Sequence, residues 1–330
     1  MTASATPAPT TFWREIDRNR RNSVLLVAAV ILLLGALGGA IGYATGFGWG
    51  GVVFAVVLAA IMSIGSYFAG DALVMASSGA REVDPANPPD AYRQLVNVVE
   101  EMRLAGGLPR PRIFVIDDTA PNAFATGRDP QHASVAATTG LLTKLSREEL
   151  QGVIGHEMSH IGNYDIRFTL LVGVLVGSIA LLADWFLRFT FWGGGRRNGD
   201  RDGGGGGAAA ILFAVALILA ILAPLIGRIV QAAVSRSRES LADVSAVELT
   251  RNPYGLARAL RTISDDAEVL EVANRATQHL YIVNPIKSFE ERAKSLWDTH
   301  PPIGERIRAL EAVGGRMGLT ESVPTATTHP

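Results

Sequence analysis

Apolar positions are gathered into long runs rather than spread evenly along the chain. No charged residue occurs from Ser23 to Gly70, and two further apolar runs occupy residues 168–192 and 208–227. A helix that crosses a bilayer needs about 20 apolar residues, so the first run can hold two crossings. Buried helices of a soluble core are the alternative, but four such runs are hard to bury in one chain. The pattern predicts four membrane spans: a hairpin in 23–70, a third span in 167–192 and a fourth in 208–228.

The segments between these runs are polar and differ in character. Four arginines between residues 14 and 21 precede the first run, which predicts a cytoplasmic N-terminus. Two spans separate the long polar segments, so both segments return to one membrane face, and we expect them to fold together there. The predicted divisions are a disordered basic N-terminus (1–22), the hairpin, a first domain half (71–166), span three, a Gly-rich loop (193–207), span four, a second half (229–318) and a disordered tail (319–330).

Shorter patterns predict the elements of the first domain half. A helix is expected around 91–105, and strand-like runs around 111–118, 122–127 and 133–142 are separated by Gly, Asp and Pro. The second half reads as mostly helical. The combined domain is therefore predicted to be mainly α, of the α+β class.

Composition excludes some classes of function. The formal net charge is −1 and only 18% of residues are charged, so no basic excess points to a nucleic-acid partner. The chain has no cysteine, which excludes disulfides, thiolate metal sites and cysteine nucleophiles.

The sequence "HEMSH" carries the clearest chemical signal. Ser146 and Glu149 form an S-x-x-E capping box, which predicts a helix beginning at about Arg147. His156 and His160 then lie one turn apart on one helical face, so both imidazoles can reach one Zn²⁺. Glu157 would stand beside the water that the metal activates. Two unrelated surface histidines are the alternative reading.

A catalytic zinc site needs a third protein ligand, and the residues alone leave its identity open. Glu239 and Asp243 lie four residues apart, so one could bind metal while the other accepts a hydrogen bond from a ligand histidine. The spacing does not favour Glu239 over Glu248 as the third ligand. A solvated charged face, shared with Arg236 and Arg238, explains the same residues.

Several motifs in order resemble those of the HtpX-type membrane zinc metalloproteases, relatives of the CAAX prenyl endopeptidases. The resemblance implies one Zn²⁺ per chain held by His156, His160 and Glu239, with Glu157 as the catalytic residue and Asp243 supporting a ligand. It also implies quality control of membrane proteins under stress, by cutting their cytoplasmic segments. The segments that carry it are Met75–Pro85, Ile116–Leu142, Gly152–Asp165, Ser235–Leu249 and Thr299–Leu310.

Three more residues are candidates for handling a substrate. His300 and Arg306, in "THPPIGER", could stabilise the oxyanion that forms during peptide hydrolysis, although Arg306 could instead pair with a local carboxylate. Asn122, in "NAFATG", could hydrogen-bond a peptide that adds to a sheet edge, although an interior strand would explain the same residues.

The predicted protein is a multi-pass α-helical membrane protein with four spans and a zincin-like metalloprotease domain on the cytoplasmic face of the cell membrane. Its expected partners are the lipid bilayer and membrane-protein or unfolded polypeptide substrates. Two rival functions remain. An intramembrane metalloprotease is disfavoured because Arg147, Glu148, Glu149 and Asp165 flank the motif. A non-proteolytic membrane protein with a structural metal would need a closed, four-ligand site.

Overall fold

The computed structural model describes residues 48–170, 238–266, 268 and 301–321, together with isolated positions between 21 and 39 and at 214 and 217. The chain divides into two compact units. One comprises Met1–Gly70 with Asn163–Arg228, and the other comprises Asp71–Gly162 with Ile229–Pro330. The second unit joins the two segments on which the sequence places the halves of the protease domain. The bounds of the spans and of the Gly-rich loop stay predictions.

The first unit contains most of the longest described helix, α1 (Trp49–Ser77, 29 residues). Its sequence is uncharged as far as Gly70, and large apolar side chains along it are exposed, among them Phe54, Ile61 and Phe68. Across the described part of the chain, no helix has both the length and the apolar character needed to cross a membrane. Most residues of the predicted first, third and fourth spans lie outside the described residues, and the four-span arrangement stays a prediction.

The second unit contains a four-stranded sheet in the order β1-β2-β4-β3. Strands β2 and β4 are parallel, and the other two pairs are antiparallel. The edge strand β3 packs against the helix that carries "HEMSH", so this edge of the sheet borders the predicted site. The strands are β1 (Arg81–Val83), β2 (Arg112–Ile116), β3 (Ala123–Gly127) and β4 (Ala133–Thr138).

The strand predicted at 133–142 is wrong beyond Thr138. There the chain turns into the short helix α3 (Thr139–Lys144). The Thr138 hydroxyl accepts a hydrogen bond from the Leu141 backbone N–H at 3.1 Å, which caps the new helix. A glycine is required at position 140, because a Cβ there would lie 1.9 Å from the carbonyl oxygen of Thr119.

Five further α-helices and two short 3-10 helices, Asp90–Tyr92 and Pro130–His132, lie in the described part of this unit. The helix expected at 91–105 is confirmed within two residues. Buried Leu95, Val98, Val99 and Met102 give it an apolar face at helical spacing, and it packs against the motif helix. The five α-helices are α2 (Arg93–Gly106), α4 (Arg147–Gly162), α5 (238–250), α6 (Pro253–Asp265) and α7 (Ile303–Arg316).

Close packing holds α4 in place, because glycines let its backbone approach that of α6. A Cβ on Gly152 would lie 2.5 Å from the Leu256 backbone nitrogen, and one on Gly255 would lie 2.7 Å from the Glu148 carbonyl oxygen. The helix that carries the histidines therefore packs against α2, α6 and β3.

Candidate metal centre and active site

The start of α4 is set by the capping box that the sequence predicts. The Ser146 backbone N–H donates to Glu149 Oε2 at 2.8 Å, and the Glu149 N–H approaches Ser146 Oγ at 3.4 Å. The helix begins at Arg147, as predicted. This start leaves His156 and His160 well inside the helix, on successive turns of one face.

Three potential metal ligands converge in the second unit. Nε2 of His156 and Nε2 of His160 lie 3.1 Å apart, and each lies 3.5 Å from a carboxylate oxygen of Glu239. Two ligands of a tetrahedral zinc ion, bonded at about 2.0–2.2 Å, are separated by about 3.3–3.5 Å. The donor atoms are of the types that bind zinc, and their separations of 3.1–3.5 Å are close to those of tetrahedral ligands, so the group could hold a metal ion.

The third-ligand ambiguity left by the sequence is resolved by position. Glu239, on α5, is 4% exposed and faces both histidines. Glu248, on the same helix, is exposed. Of the two carboxylates that spacing could not rank, only Glu239 belongs to the group that could hold a metal.

Asp243 orients one of the histidines. Its Oδ1 lies 3.0 Å from His156 Nδ1, so an Nδ1–H donates to Asp243 and leaves the Nε2 lone pair directed at Glu239 and His160. Burial alone would raise the pKa of Asp243, but Arg306 and the hydrogen bond from His156 lower it to about 2. Burial would lower the pKa of His156, but hydrogen bonds to Asp243 and Glu239 raise it, so metal binding would displace the proton on the Nε2 that faces Glu239. An ionised Asp243 therefore fixes the imidazole tautomer that a metal ligand needs.

Glu157 is buried close to the three candidate ligands and interacts electrostatically with all of them. The residue is 2% exposed, and burial raises the pKa of its carboxyl group despite the neighbouring histidines and a hydrogen bond from the Ala125 backbone N–H. A buried carboxyl with a raised pKa suits general acid–base work near neutral pH. The contact with Ala125 has no signal in the sequence, because every non-proline residue carries the same backbone N–H.

Arg306 reaches the same site from α7. Its Nε and Nη2 donate to the two oxygens of Asp243 at 2.9 and 2.7 Å, and its Nη1 lies 3.2 Å from Glu239 Oε2. Burial would lower the pKa of the guanidinium, but these two carboxylates raise it. The sequence left two readings for Arg306, oxyanion stabilisation or pairing with a local carboxylate. The structure instead pairs Arg306 with Asp243, 63 residues earlier, and with Glu239. Oxyanion stabilisation stays a prediction, and His300 lies outside the described residues.

Asn122 lies just before the edge strand. Its side-chain Oδ1 accepts from the Ala123 N–H at 3.1 Å, and its carbonyl accepts from the Thr138 N–H of β4 at 3.0 Å. Backbone groups of successive residues in an antiparallel strand point to opposite sides, so those of Ala123 and Ala125 point away from β4. The side of β3 that faces away from β4 therefore borders Glu157, whereas substrate binding by Asn122 stays a prediction.

Comparisons with known proteins agree with this geometry. The sequence pattern of Peptidase family M48 matches residues 89–313. A protease HtpX homolog of Streptococcus thermophilus is 45% identical over 299 residues, which cover 90% of this chain and 98% of that protein. A homolog of Ligilactobacillus salivarius is 44% identical over 300 residues, which cover 91% and 99%.

A solved structure also resembles the chain. The crystal structure of S. mikatae Ste24p covers 92% of this chain and 67% of its own, with a TM-score of 0.47 and 17% sequence identity. A likeness at that level adds nothing to the assignment, which depends on the family match and the relatives above 40% identity. The chain belongs to Peptidase family M48, as a metallopeptidase of the HtpX type.

Proposed function

We propose that this metallopeptidase is a membrane-anchored zinc endopeptidase that cleaves misfolded or damaged membrane proteins on the cytoplasmic side of the cell membrane. The observation that carries the proposal is the triangle of buried His156, half-buried His160 and buried Glu239, with buried Glu157 beside it. Three protein ligands are the number found in catalytic zinc sites, which keep a fourth position for water or substrate.

The chain's own residues perform the acid–base work. His156, His160 and Glu239 would hold a zinc ion, which would supply Lewis-acid activation of water and of the scissile carbonyl. Glu157 accepts the proton of the attacking water and later delivers it to the leaving amine. Burial raises the pKa of Glu157, which favours the protonated carboxyl group that delivers the proton to the leaving amine.

The position of β3 supports a peptide substrate. Extended peptides commonly bind by adding a strand to an exposed sheet edge. β3 is an edge strand of the described sheet, although its five residues are buried; the Ala123 carbonyl points away from β4, while the N–H groups of Ala123 and Ala125 contact Asn122 Oδ1 and Glu157. A peptide paired with this edge would run past the catalytic carboxylate, with Asn122 at one end of the pairing.

The proposed location depends on the sequence pattern. The uncharged run 23–70, the two apolar runs 168–192 and 208–227, and the arginines before the first run favour a multi-pass protein with a cytoplasmic active site. The exposed apolar side chains along α1, including Phe54 and Ile61, suit contact with lipid. Damaged membrane proteins as substrates, and a role in stress, are proposed from the resemblance to HtpX-type proteases.

The test is metal analysis and a cleavage assay on the full chain purified in detergent. Glu157→Gln keeps the shape of the side chain but cannot accept the proton, so we expect normal zinc content and loss of cleavage of casein and of a membrane-protein substrate. Glu248→Gln is the matched control, because it makes the same change at an exposed carboxylate. Wild-type protein that binds zinc tightly without cleaving either substrate would instead indicate a structural metal.

A further inference from the structure

We propose that Arg306 is a positioning residue of the metal centre, which holds Asp243 and through it sets the orientation of His156. The inference rests on the proposed zinc site. It gives the guanidinium a task other than contact with the substrate, and it makes the C-terminal helix α7 part of the metal centre.

The hydrogen bonds of Asp243 carry the argument. Its Oδ1 accepts from both His156 Nδ1, at 3.0 Å, and Arg306 Nη2, at 2.7 Å. Its Oδ2 accepts from Arg306 Nε at 2.9 Å. Two parallel bonds from a planar guanidinium fix both the position and the plane of a carboxylate. Without them the Asp243 carboxylate could rotate, and the His156 ring would lose its fixed acceptor.

The third nitrogen of the guanidinium acts on a ligand directly. Arg306 Nη1 lies 3.2 Å from Glu239 Oε2, the oxygen that also faces His156 Nε2 at 3.5 Å. The Arg306 side chain is 2% exposed, so water screens these interactions little. One buried cation therefore joins α7 to two carboxylates on α5, four residues apart.

Packing of α7 against α6 explains how the guanidinium is held in place. Gly314 lies against the Tyr254 ring, where a Cβ would approach to within 2.6 Å. The Tyr254 hydroxyl donates to the Leu319 carbonyl at 3.1 Å, which ties the chain beyond α7 to α6. Arg261 of α6 also pairs with Glu311 of α7. These contacts fix the helix on which Arg306 projects inward.

The contacts of the Arg306 guanidinium favour a positioning role over oxyanion stabilisation, and the two roles predict different experimental effects. Nε and Nη2 are both used on Asp243, as expected for a residue that acts through another side chain. A positioning residue changes metal affinity, since outer partners of a ligand histidine typically alter it by about 10–100-fold. An oxyanion donor changes kcat and leaves metal affinity intact.

The experiment compares zinc dissociation constants, measured by chelator competition on the detergent-purified full chain, with kcat and KM for casein. Arg306→Met should weaken zinc binding about 10–100-fold. Arg306→Lys should lie between it and wild type, because a lysine keeps the charge but cannot bind both oxygens. Arg308→Met is the matched control, since Arg308 is exposed on the same helix, and it should match wild type. Thermal unfolding of the metal-free proteins reports whether each variant is folded.

A double-mutant cycle tests whether Arg306 acts through Asp243. Asp243→Asn should weaken zinc binding, and adding Arg306→Met should then weaken it by less than it does in wild type. Unchanged zinc affinity in folded Arg306→Met with a lower kcat would overturn the proposal, as would losses that multiply in the double variant. If Arg306→Met does not fold, wild-type zinc affinity in Arg306→Lys overturns it equally. Wild-type protein that binds no zinc would overturn the proposed function instead.

Discussion

The close contact between α4 and α6 gives the sharpest test of how the fold supports the site. Gly152 lies one turn before His156, and a Cβ at that position would lie 2.5 Å from the Leu256 backbone nitrogen and 2.7 Å from its Cα. An ordinary contact begins at about 3.4 Å, so Gly152→Ala requires the two helices to separate by about 0.9 Å. Both opposing atoms belong to the backbone and cannot rotate away.

Two effects of Gly152→Ala oppose each other. An alanine inside a helix stabilises it by about 0.5–1 kcal/mol relative to glycine. Overpacking a rigid contact costs about 1–3 kcal/mol, and the backbone partners place this site at the upper end. We therefore expect a net loss of about 2 kcal/mol, which lowers Tm by about 4–8 °C for a unit of this size. Because α4 carries both histidines, zinc affinity should also fall.

The assay is thermal unfolding of the metal-free full chain, followed by chelator competition for zinc. Gly315→Ala is the control, because Gly315 lies in α7 with nothing within 4 Å of an added Cβ. That variant should be as stable as wild type or slightly more stable, with unchanged zinc affinity. A Gly152→Ala protein with a Tm at or above that of wild type would show that the helices separate freely, and would refute the reasoning.

Three further changes probe other contacts. Gly140→Ala places a Cβ 1.9 Å from the Thr119 carbonyl, so we expect a loss of about 3 kcal/mol or more in unfolding free energy, and a wild-type Tm would contradict the packing argument. Ser146→Ala removes a long capping contact to Glu149 and should cost about 0.5 kcal/mol, seen as a small drop in Tm, whereas a drop above about 2 kcal/mol would indicate another role. Glu239→Ala should sharply lower the zinc content of purified protein, and full occupancy would count against Glu239 as a ligand.

Sequence reasoning succeeded where the controlling interactions are local. The start of α4 depends on Ser146 and Glu149, three residues apart, and the spacing of His156 and His160 follows from the helical repeat. The strand prediction failed after Thr138, because the next four residues, Thr139–Leu142, fit a strand as well as a helix. Residues 139–144 form a helix instead, because the Thr138 hydroxyl accepts a capping hydrogen bond from the Leu141 N–H. The chain also passes close to the Thr119 carbonyl there.

The roles of the distant charged residues could not be predicted from spacing. Glu239 and Glu248 lie nine residues apart in one segment, and spacing does not rank them as ligands, yet one is buried against the histidines and the other is exposed. Arg306 follows Asp243 by 63 residues, and no local pattern indicates that the two pair.

By itself, the sequence determined the metal-binding helix, its starting residue, the absence of thiol chemistry and, through several ordered motifs, the resemblance to a protease family. These depend on residue identity and on separations within one helical turn. Only the tertiary structure decided that Glu239 and not Glu248 faces the histidines. It also decided that Arg306 donates two hydrogen bonds to Asp243 and that the edge of β3 borders Glu157. The physical reason is that contacts between distant segments depend on how helices and sheet pack, and that packing is set by many residues together.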